Sequence, residues 1–345
     1  MMEERIMDCC ADCGGLAGGG ISLKSCKSCM LVKYCNADCQ RNHWSRHKKD
    51  CKRRAAELRD EAVFKDPPDK EDCPICFLPM PAEVLCCISL PPATITSVPI
   101  RDFAKRNKVM VNKVSFEYYE CCGKSICRGC MYSFCKSGNV GKCPFCKTER
   151  DVKTAEEAIK QIMKRVEAKD AGAIFVLGSY YYHGKRGLQQ DREKSIELWT
   201  QAANLGSILA HYDLGVTYEK GGDSKKMMFH YEAAAMAGHE VARFNLGVME
   251  GKSGKGERAI KHWTIAASAG HFTAMAALLE LFEEGALIRE TIDSTLTAYN
   301  NSCVKMRSEA RDAAIRVFMG NNCQPYTTAQ VINTSHFPTA SFHTG

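Results

Sequence analysis

The chain has 345 residues, of which 45% are hydrophobic and 25% charged, with a formal net charge of +7. That length exceeds one small core and points to two or three domains. No run of about 18 apolar residues is present to span a membrane, and the acidic start MMEERIMDCC lacks the apolar core of a signal peptide.

Nineteen of the 21 cysteines fall in the first 150 residues, and fifteen of them, with one histidine, stand at metal-ligand spacing. An intracellular location, cytoplasmic or nuclear, is expected. In such a reducing compartment paired Cys-x2-Cys motifs hold metal rather than disulfides. The first cluster reads Cys10-x2-Cys13, Cys26-x2-Cys29, Cys35-x3-Cys39, His47-x3-Cys51. The second reads Cys73-x2-Cys76, Cys121-Cys122, Cys127-x2-Cys130, Cys143-x2-Cys146. Each holds eight ligands, enough for two tetrahedral zinc ions, so four are expected. Fifteen thiolates against four divalent ions lower the formal charge by seven, which brings the metal-loaded chain near neutral and removes the charge argument for nucleic acid.

Residues 10–51 resemble the MYND zinc finger, with all eight ligands in order. The resemblance implies interleaved sites: Cys10, Cys13, Cys35 and Cys39 on one ion, Cys26, Cys29, His47 and Cys51 on the other. His47 and Cys51, four apart, share one helix face. Cys9 is a possible register alternative to Cys10. The family binds short proline-containing peptides, and Gln40 and Trp44 match its Cys-Gln-x3-Trp pattern as candidate groove residues. Trp44 is equally readable as a packing residue over the metal sites. Nothing downstream resembles a SET domain, which argues against methyl transfer. The basic stretch Arg41, Arg46, Lys48, Lys49, Lys52, Arg53 and Arg54 is followed by Glu57, Asp60 and Glu61. It reads as a solvated helix face, with nuclear import or RNA contact as the alternative. Lys52 to Ala62 has helical composition, and Phe64-Lys-Asp-Pro-Pro-Asp breaks it into a short hinge.

The runs CPIC, CCGKSICRGC and CPFC over residues 73–146 resemble a RING finger. Its cross-brace implies Cys73, Cys76, Cys127 and Cys130 on one zinc, with Cys121, Cys122, Cys143 and Cys146 on the other. The usual Cys-x-His pair is replaced by Cys121-Cys122, and Lys124 stands where a histidine would fall. A protonated lysine cannot ligate zinc. Cys86 and Cys87 remain alternatives for one of the pair. RING ligases do no covalent chemistry; they dock a charged ubiquitin-conjugating enzyme and position its thioester. The resemblance makes Ile75, Pro144, Phe145 and Lys147 docking candidates. Lys147 stands where active members often carry arginine, whose planar fork bridges two carbonyls as a lysine cannot. A zinc-stapled interaction module without ligase activity is the competing reading.

Beyond residue 150 a period of 32 appears: Trp199, Tyr231 and Trp263; Gly206, Gly238 and Gly270; Ala203, Ala235 and Ala267. The Leu-Gly pairs at 177–178, 214–215 and 246–247 are spaced 37 and 32, which places a five-residue insertion near Gly184–Gln190. Each unit reads as two helices, the second opening at Asp191 or Asp223 and closing at the glycine. Glycine and alanine permit close helix crossing, and the aromatic fills the gap between units. The pattern resembles the Sel-one-like repeat (SLR), a relative of the tetratricopeptide repeat, and implies an α-solenoid that binds proteins. Tyr181 and Tyr218 share one repeat position, as concave-face or packing residues, and Glu250 replaces the aromatic in the third unit. Cys303 and Cys323 read as plain thiols.

The expected fold class is multidomain: two small binuclear zinc domains, MYND and a cross-braced α/β RING, followed by an all-α SLR solenoid. The expected boundaries are 1–52 MYND, 53–70 helix and linker, 71–150 RING, 151–169 a capping helix, 170–287 solenoid, 288–320 closing helices and 321–345 a disordered tail. The expected function is a zinc-binding interaction protein, a RING-type ubiquitin ligase or a non-catalytic scaffold. Its partners would be proteins, including a ubiquitin-conjugating enzyme and proline-containing peptides. No small-molecule substrate or membrane is expected, and no base-reading helix follows the ligands to suggest nucleic acid.

Overall fold

The computed structural model describes residues 9–17, 22–80, 116–149 and 154–319. Cys86, Cys87, Cys323 and the tail expected from 321 lie outside them. The chain divides into two compact units, residues 1–65 and 66–345.

The first unit pairs two short antiparallel strands, β1 (Lys24–Ser25) and β2 (Lys33–Tyr34), with Lys24 opposite Tyr34. They precede one long helix, α1 (Ala37–Val63). Asn36 caps it, its side-chain oxygen accepting the Cys39 N–H at 2.8 Å. The helix runs unbroken past residue 52, so its zinc-bearing start and the expected helix at 52–62 are one element. Its buried positions Cys39, His47 and Cys51 share one face. The opposite face is charged. Arg53 pairs with Asp50 at 3.0 Å, Arg54 pairs with Glu61 at 2.8 Å, and Arg41 pairs with Asp38. Three of the seven basic residues are thereby matched along their own helix. The core of this unit is Cys10, Cys26, Cys29, Tyr34, Cys39 and Cys51. A core made so largely of thiols buries too little apolar surface to fold by the hydrophobic effect alone.

The second unit opens with a cysteine-rich module. Strands β3 (Phe116–Tyr119) and β4 (Lys124–Cys127) form an antiparallel hairpin with Tyr119 opposite Lys124. Cys127 ends β4 and caps helix α2 (Arg128–Phe134), its sulfur accepting the Cys130 N–H at 3.4 Å. Ile126 and Tyr119 are sealed beneath the cysteines.

Ten helices follow among the described residues: α3 (Ala155–Glu167), α4 (Ala171–His183), α5 (Arg192–Asn204), α6 (Ile208–Lys220), α7 (Ser224–Met236), α8 (Glu240–Lys252), α9 (Gly256–Ser268), α10 (Phe272–Glu283), α11 (Arg289–Met306) and α12 (Glu309–Met319). Helices α4 to α9 form three pairs that repeat the 32-residue period. The insertion is the connection from Gly184 to Asp191, against Gly221 to Asp223 in the next unit. Asp191 and Asp223 cap α5 and α7 as their composition predicts.

The Leu-Gly glycines are where the helices of one unit cross most closely. A Cβ on Gly178 would lie 2.7 Å from the Trp199 ring, on Gly215 2.5 Å from Tyr231, and on Gly247 2.4 Å from Trp263. The aromatic therefore seats first on the glycine of its own unit, and only then reaches the next, as Trp199 does toward Ala210 and Leu214. The expected place between units is thus extended by a seat within the unit. The indoles of Trp199 and Trp263 donate to the carbonyls of Phe175 and Phe244 at 3.1 and 3.3 Å. Tyr181 lies under the Lys194 ammonium, and Tyr218 stacks on His230, so both are packing residues. Glu250 is buried and bound by Arg258 at 3.0 Å and Lys255 at 3.1 Å. Cys303 is fully buried in the apolar core of α10 and α11. No described helix is long and apolar enough to cross a membrane.

Candidate metal centres

The sixteen ligand candidates come together in four groups of four. These are Cys10, Cys13, Cys35 and Cys39; Cys26, Cys29, His47 and Cys51; Cys73, Cys76, Cys127 and Cys130; and Cys121, Cys122, Cys143 and Cys146. Within each group all donor atoms lie within 4.8 Å of one another. In both modules the groups interleave along the chain.

The spacings are those of a coordination shell. Four sulfurs about 2.3 Å from a tetrahedral ion stand about 3.8 Å apart. The observed separations are 3.7 Å for Cys13–Cys35, 3.7 Å for Cys26–Cys51, 3.8 Å for Cys73–Cys130, 3.8 Å for Cys76–Cys127, 3.8 Å for Cys122–Cys143 and 3.6 Å for Cys121–Cys146. His47 Nε2 stands 3.2 Å from Cys29 Sγ. A disulfide needs about 2.05 Å, and every described cysteine is a free thiol.

Four of the five Cys-x2-Cys pairs, all but Cys127-x2-Cys130 at the start of α2, share one turn. The residue after the second cysteine takes a left-handed conformation: Gly14 at φ 71°, Met30 at 58°, Phe77 at 53° and Lys147 at 59°. Its N–H returns to the carbonyl of the first cysteine in all four, at 2.9, 2.9, 2.8 and 3.0 Å. Left-handed backbone is costly for Met, Phe and Lys. Repeated in four places, it aims two sulfurs at one point.

The thiols are electrostatically split. In every group one is pulled down and a neighbour pushed up. The hydrogen bond from Cys130 and the Arg311 guanidinium hold Cys127 at about 4, while its hydrogen bond to Cys127 and then burial drive Cys130 up. The Thr148 hydroxyl holds Cys146 at about 6, and burial pushes Cys121 up. Burial raises Cys26, but hydrogen bonds from His47 and the Cys29 backbone outweigh it and bring it to about 6; burial and the Cys26 thiol push Cys51 up to about 12. Burial also opposes ionisation of Cys10, yet the Cys13 backbone N–H and others lower it to about 6, and the Cys35 thiol pushes Cys39 up. Four crowded thiols cannot all ionise without a cation among them. A borderline-soft divalent ion that accepts four-coordinate tetrahedral geometry, such as zinc, fits this donor set.

Lys124 stays outside the groups, its ammonium over the Phe145 ring at 5.0 Å. Cys9 and Cys135 are not in a group either. Gln40 and Trp44 are both exposed, one turn apart on α1, and Trp44 meets His47 edge-on at 6.4 Å. Ile75 is exposed. Phe145 turns inward against Tyr119. The Lys147 ammonium is held by the Pro144 carbonyl at 3.2 Å and lies 4.8 Å from the centre of the Phe134 ring.

Two arginines that no sequence motif marks touch the second module. Arg165 of α3 donates to the carbonyls of Glu120 and Cys121 at 2.6 and 2.9 Å. Arg311 of α12 reaches Cys127 and Cys76. Neither lies near a cysteine in sequence, and single arginines on amphipathic helices carry no signal of their own.

The MYND finger family model matches residues 10–51, and the Sel1 repeat model matches residues 171–207, 208–239 and 241–271. A SET and MYND domain-containing protein of Dictyostelium discoideum is 52% identical over 33 residues, which is 10% of this chain and 6% of that protein. The chain thus matches only a small part of that relative's length. Among solved structures, a Sel1 repeat protein from Oxalobacter formigenes is 28% identical, covering 35% of this chain and 97% of its own, with a TM-score of 0.33. A protective antigen with an SLR fold from uropathogenic Escherichia coli is 18% identical, covering 55% of this chain and 47% of its own, with a TM-score of 0.31. The chain is therefore a small cysteine-rich zinc-binding region followed by helical Sel1 repeats, an arrangement suited to protein interaction.

Proposed function

We propose that this protein is a zinc-dependent recruiter of other proteins that acts as a RING-type ubiquitin ligase, loading four zinc ions on the sixteen residues grouped above. The observation that carries the reading is the interleaving in the second module, where Cys73 and Cys76 join Cys127 and Cys130 while Cys121 and Cys122 join Cys143 and Cys146. Such interleaving supports the cross-brace that the RING resemblance implies. The zinc supplies folding energy and a fixed scaffold. The protein's own residues do the rest. Ile75 and Pro144 present a partly apolar surface to a ubiquitin-conjugating enzyme. The solenoid and the α1 surface at Gln40 and Trp44 select the substrate and a proline-containing peptide.

A second reading, a scaffold that docks without catalysing, is favoured by one contact. The Lys147 ammonium is committed to the Pro144 carbonyl and the Phe134 ring, so it offers no free fork to bridge enzyme and ubiquitin. Purified protein assayed for zinc and for ubiquitin discharge from a panel of conjugating enzymes separates the two. A ligase gives discharge that falls with Ile75→Ala and rises with Lys147→Arg. Silence of both wild type and Lys147→Arg with every enzyme leaves the scaffold. A zinc content near two per chain would remove one module from the metal reading.

A further inference from the structure

Arg311 is 5% exposed and lies on α12, the last described helix. All its guanidinium nitrogens are spent on the cysteine-rich module and on its own helix entry. Nε donates to Cys127 Sγ at 3.3 Å, and one terminal nitrogen reaches Cys76 Sγ at 3.5 Å and the Leu78 carbonyl at 3.0 Å. The other donates to the carbonyls of Pro79 and Met306, both at 2.7 Å. The backbone is equally close. A Cβ on Gly129, the second residue of α2, would lie 2.6 to 2.8 Å from Arg311 Cγ, N and Cα. Gly129 thus admits α12 against α2. The entry to α12 is locked by an Arg307–Asp312 pair at 2.9 Å.

Physical chemistry gives this contact a direction. Four thiolates around a divalent zinc carry a net charge of −2, which is costly to bury. A buried guanidinium that donates to two of the sulfurs offsets that charge and withdraws electron density from them. Beside the companion group at Cys121, Cys122, Cys143 and Cys146, Arg165 donates to the carbonyls of Glu120 and Cys121 and pairs with Asp170 rather than turning to the sulfurs.

We infer that Arg311 is a positioning residue of the zinc group Cys73, Cys76, Cys127 and Cys130, so that α12 is a working part of a metal centre formed by residues far upstream. The inference rests on the zinc reading of that group. Its test uses full-length wild type, Arg311→Met and Gly129→Ala. Zinc release to a competing chelator is timed, iodoacetamide-labelled cysteines are mapped by mass spectrometry, and the thiolate-to-metal charge-transfer band is recorded after cobalt substitution.

Arg311→Met should release zinc from this group on the order of tenfold faster. Cys76 and Cys127 should label first, and the cobalt band should move to lower energy, with the other three groups unchanged. Gly129→Ala should do the same with the arginine still present, because it pushes α12 away. Wild-type rates and labelling in both variants would overturn the inference, as would simultaneous release from all four groups, which marks loss of the fold. Wild type with no zinc at this group would overturn the zinc reading itself, and the inference with it.

Discussion

His239 and His271 do the same job 32 residues apart. Each caps a helix by accepting a backbone N–H on Nδ1, from Ala242 at 3.2 Å and from Ala274 at 3.1 Å. Only a neutral imidazole can accept in this way. Burial lowers both rings to about 4, with the Lys70 ammonium also lowering them and Glu240 opposing. Tyr212 stacks on the first and Phe244 covers the second. A folded value below the unfolded value of about 6.5 means that the stabilisation is whole above that pH and is lost as pH falls toward the folded value. By pH 5 the loss should be about 2 kcal/mol per histidine. His239→Asn with His271→Asn keeps a neutral cap, so its thermal midpoint should fall less than wild type between pH 7.5 and 5. Equal falls would show that these rings do not govern acid sensitivity. As caps the two histidines were hidden in the sequence, because histidine is not a usual N-cap; the signal was their shared spacing with Ser207, which caps α6.

The helices themselves were largely legible, because each repeats the devices that start and stop it. Asp191 and Asp223 announce α5 and α7, and the glycines that follow α5 and α7 take positive φ. The repeat of glycine and aromatic was visible too, but not which glycine each ring meets, since spacing alone does not tell contact within a unit from contact between units. The geometry now yields a paired expectation. Gly247→Ala drives a methyl into the Trp263 ring, and overpacking of this kind costs about 1–3 kcal/mol. Gly256→Ala, at the first residue of α9, meets no atom within 4 Å and should be neutral or stabilising by up to about 1 kcal/mol. Urea unfolding of the two variants decides it; equal midpoints would mean that the close crossing carries no packing constraint. The hairpin β3–β4 was not foreseen, because its residues FEYY and KSIC are too short and too interrupted by ligands to show an alternating pattern.

Within the second unit, the RING resemblance implied which cysteines share a group, and the proximity of their sulfurs agrees with it, but nothing in the sequence told what the module packs against. Long-range partners such as Arg311 and Arg165 leave no local trace. The segment before the module shows the same limit. Read as the end of a linker, it carries Lys70, whose ammonium reaches the Glu240 carboxylate at 2.9 Å, the Ala269 carbonyl at 3.0 Å and Met306 sulfur at 3.6 Å. Burial would raise Glu240, but the Lys70 charge, then His239, hold it at about 2. Lys70→Met strips a buried carboxylate of its ammonium and should cost about 3–5 kcal/mol. Adding Glu240→Gln should recover most of that loss in the same denaturation experiment. No recovery in the double variant would mean that the lysine acts through packing instead.

The Arg311–Cys127 contact spans 184 positions of chain, and that separation sets an order of events during synthesis. Ribosomes add roughly 5–20 residues per second, so Cys76 and Cys127 emerge on the order of ten to forty seconds before the arginine that shields them. Through that interval the nascent module must hold its metal with bare sulfurs, open to oxidants and to competing thiols. Nascent chains stalled before α12 should therefore label at these two cysteines, while chains stalled well past Met319 should not.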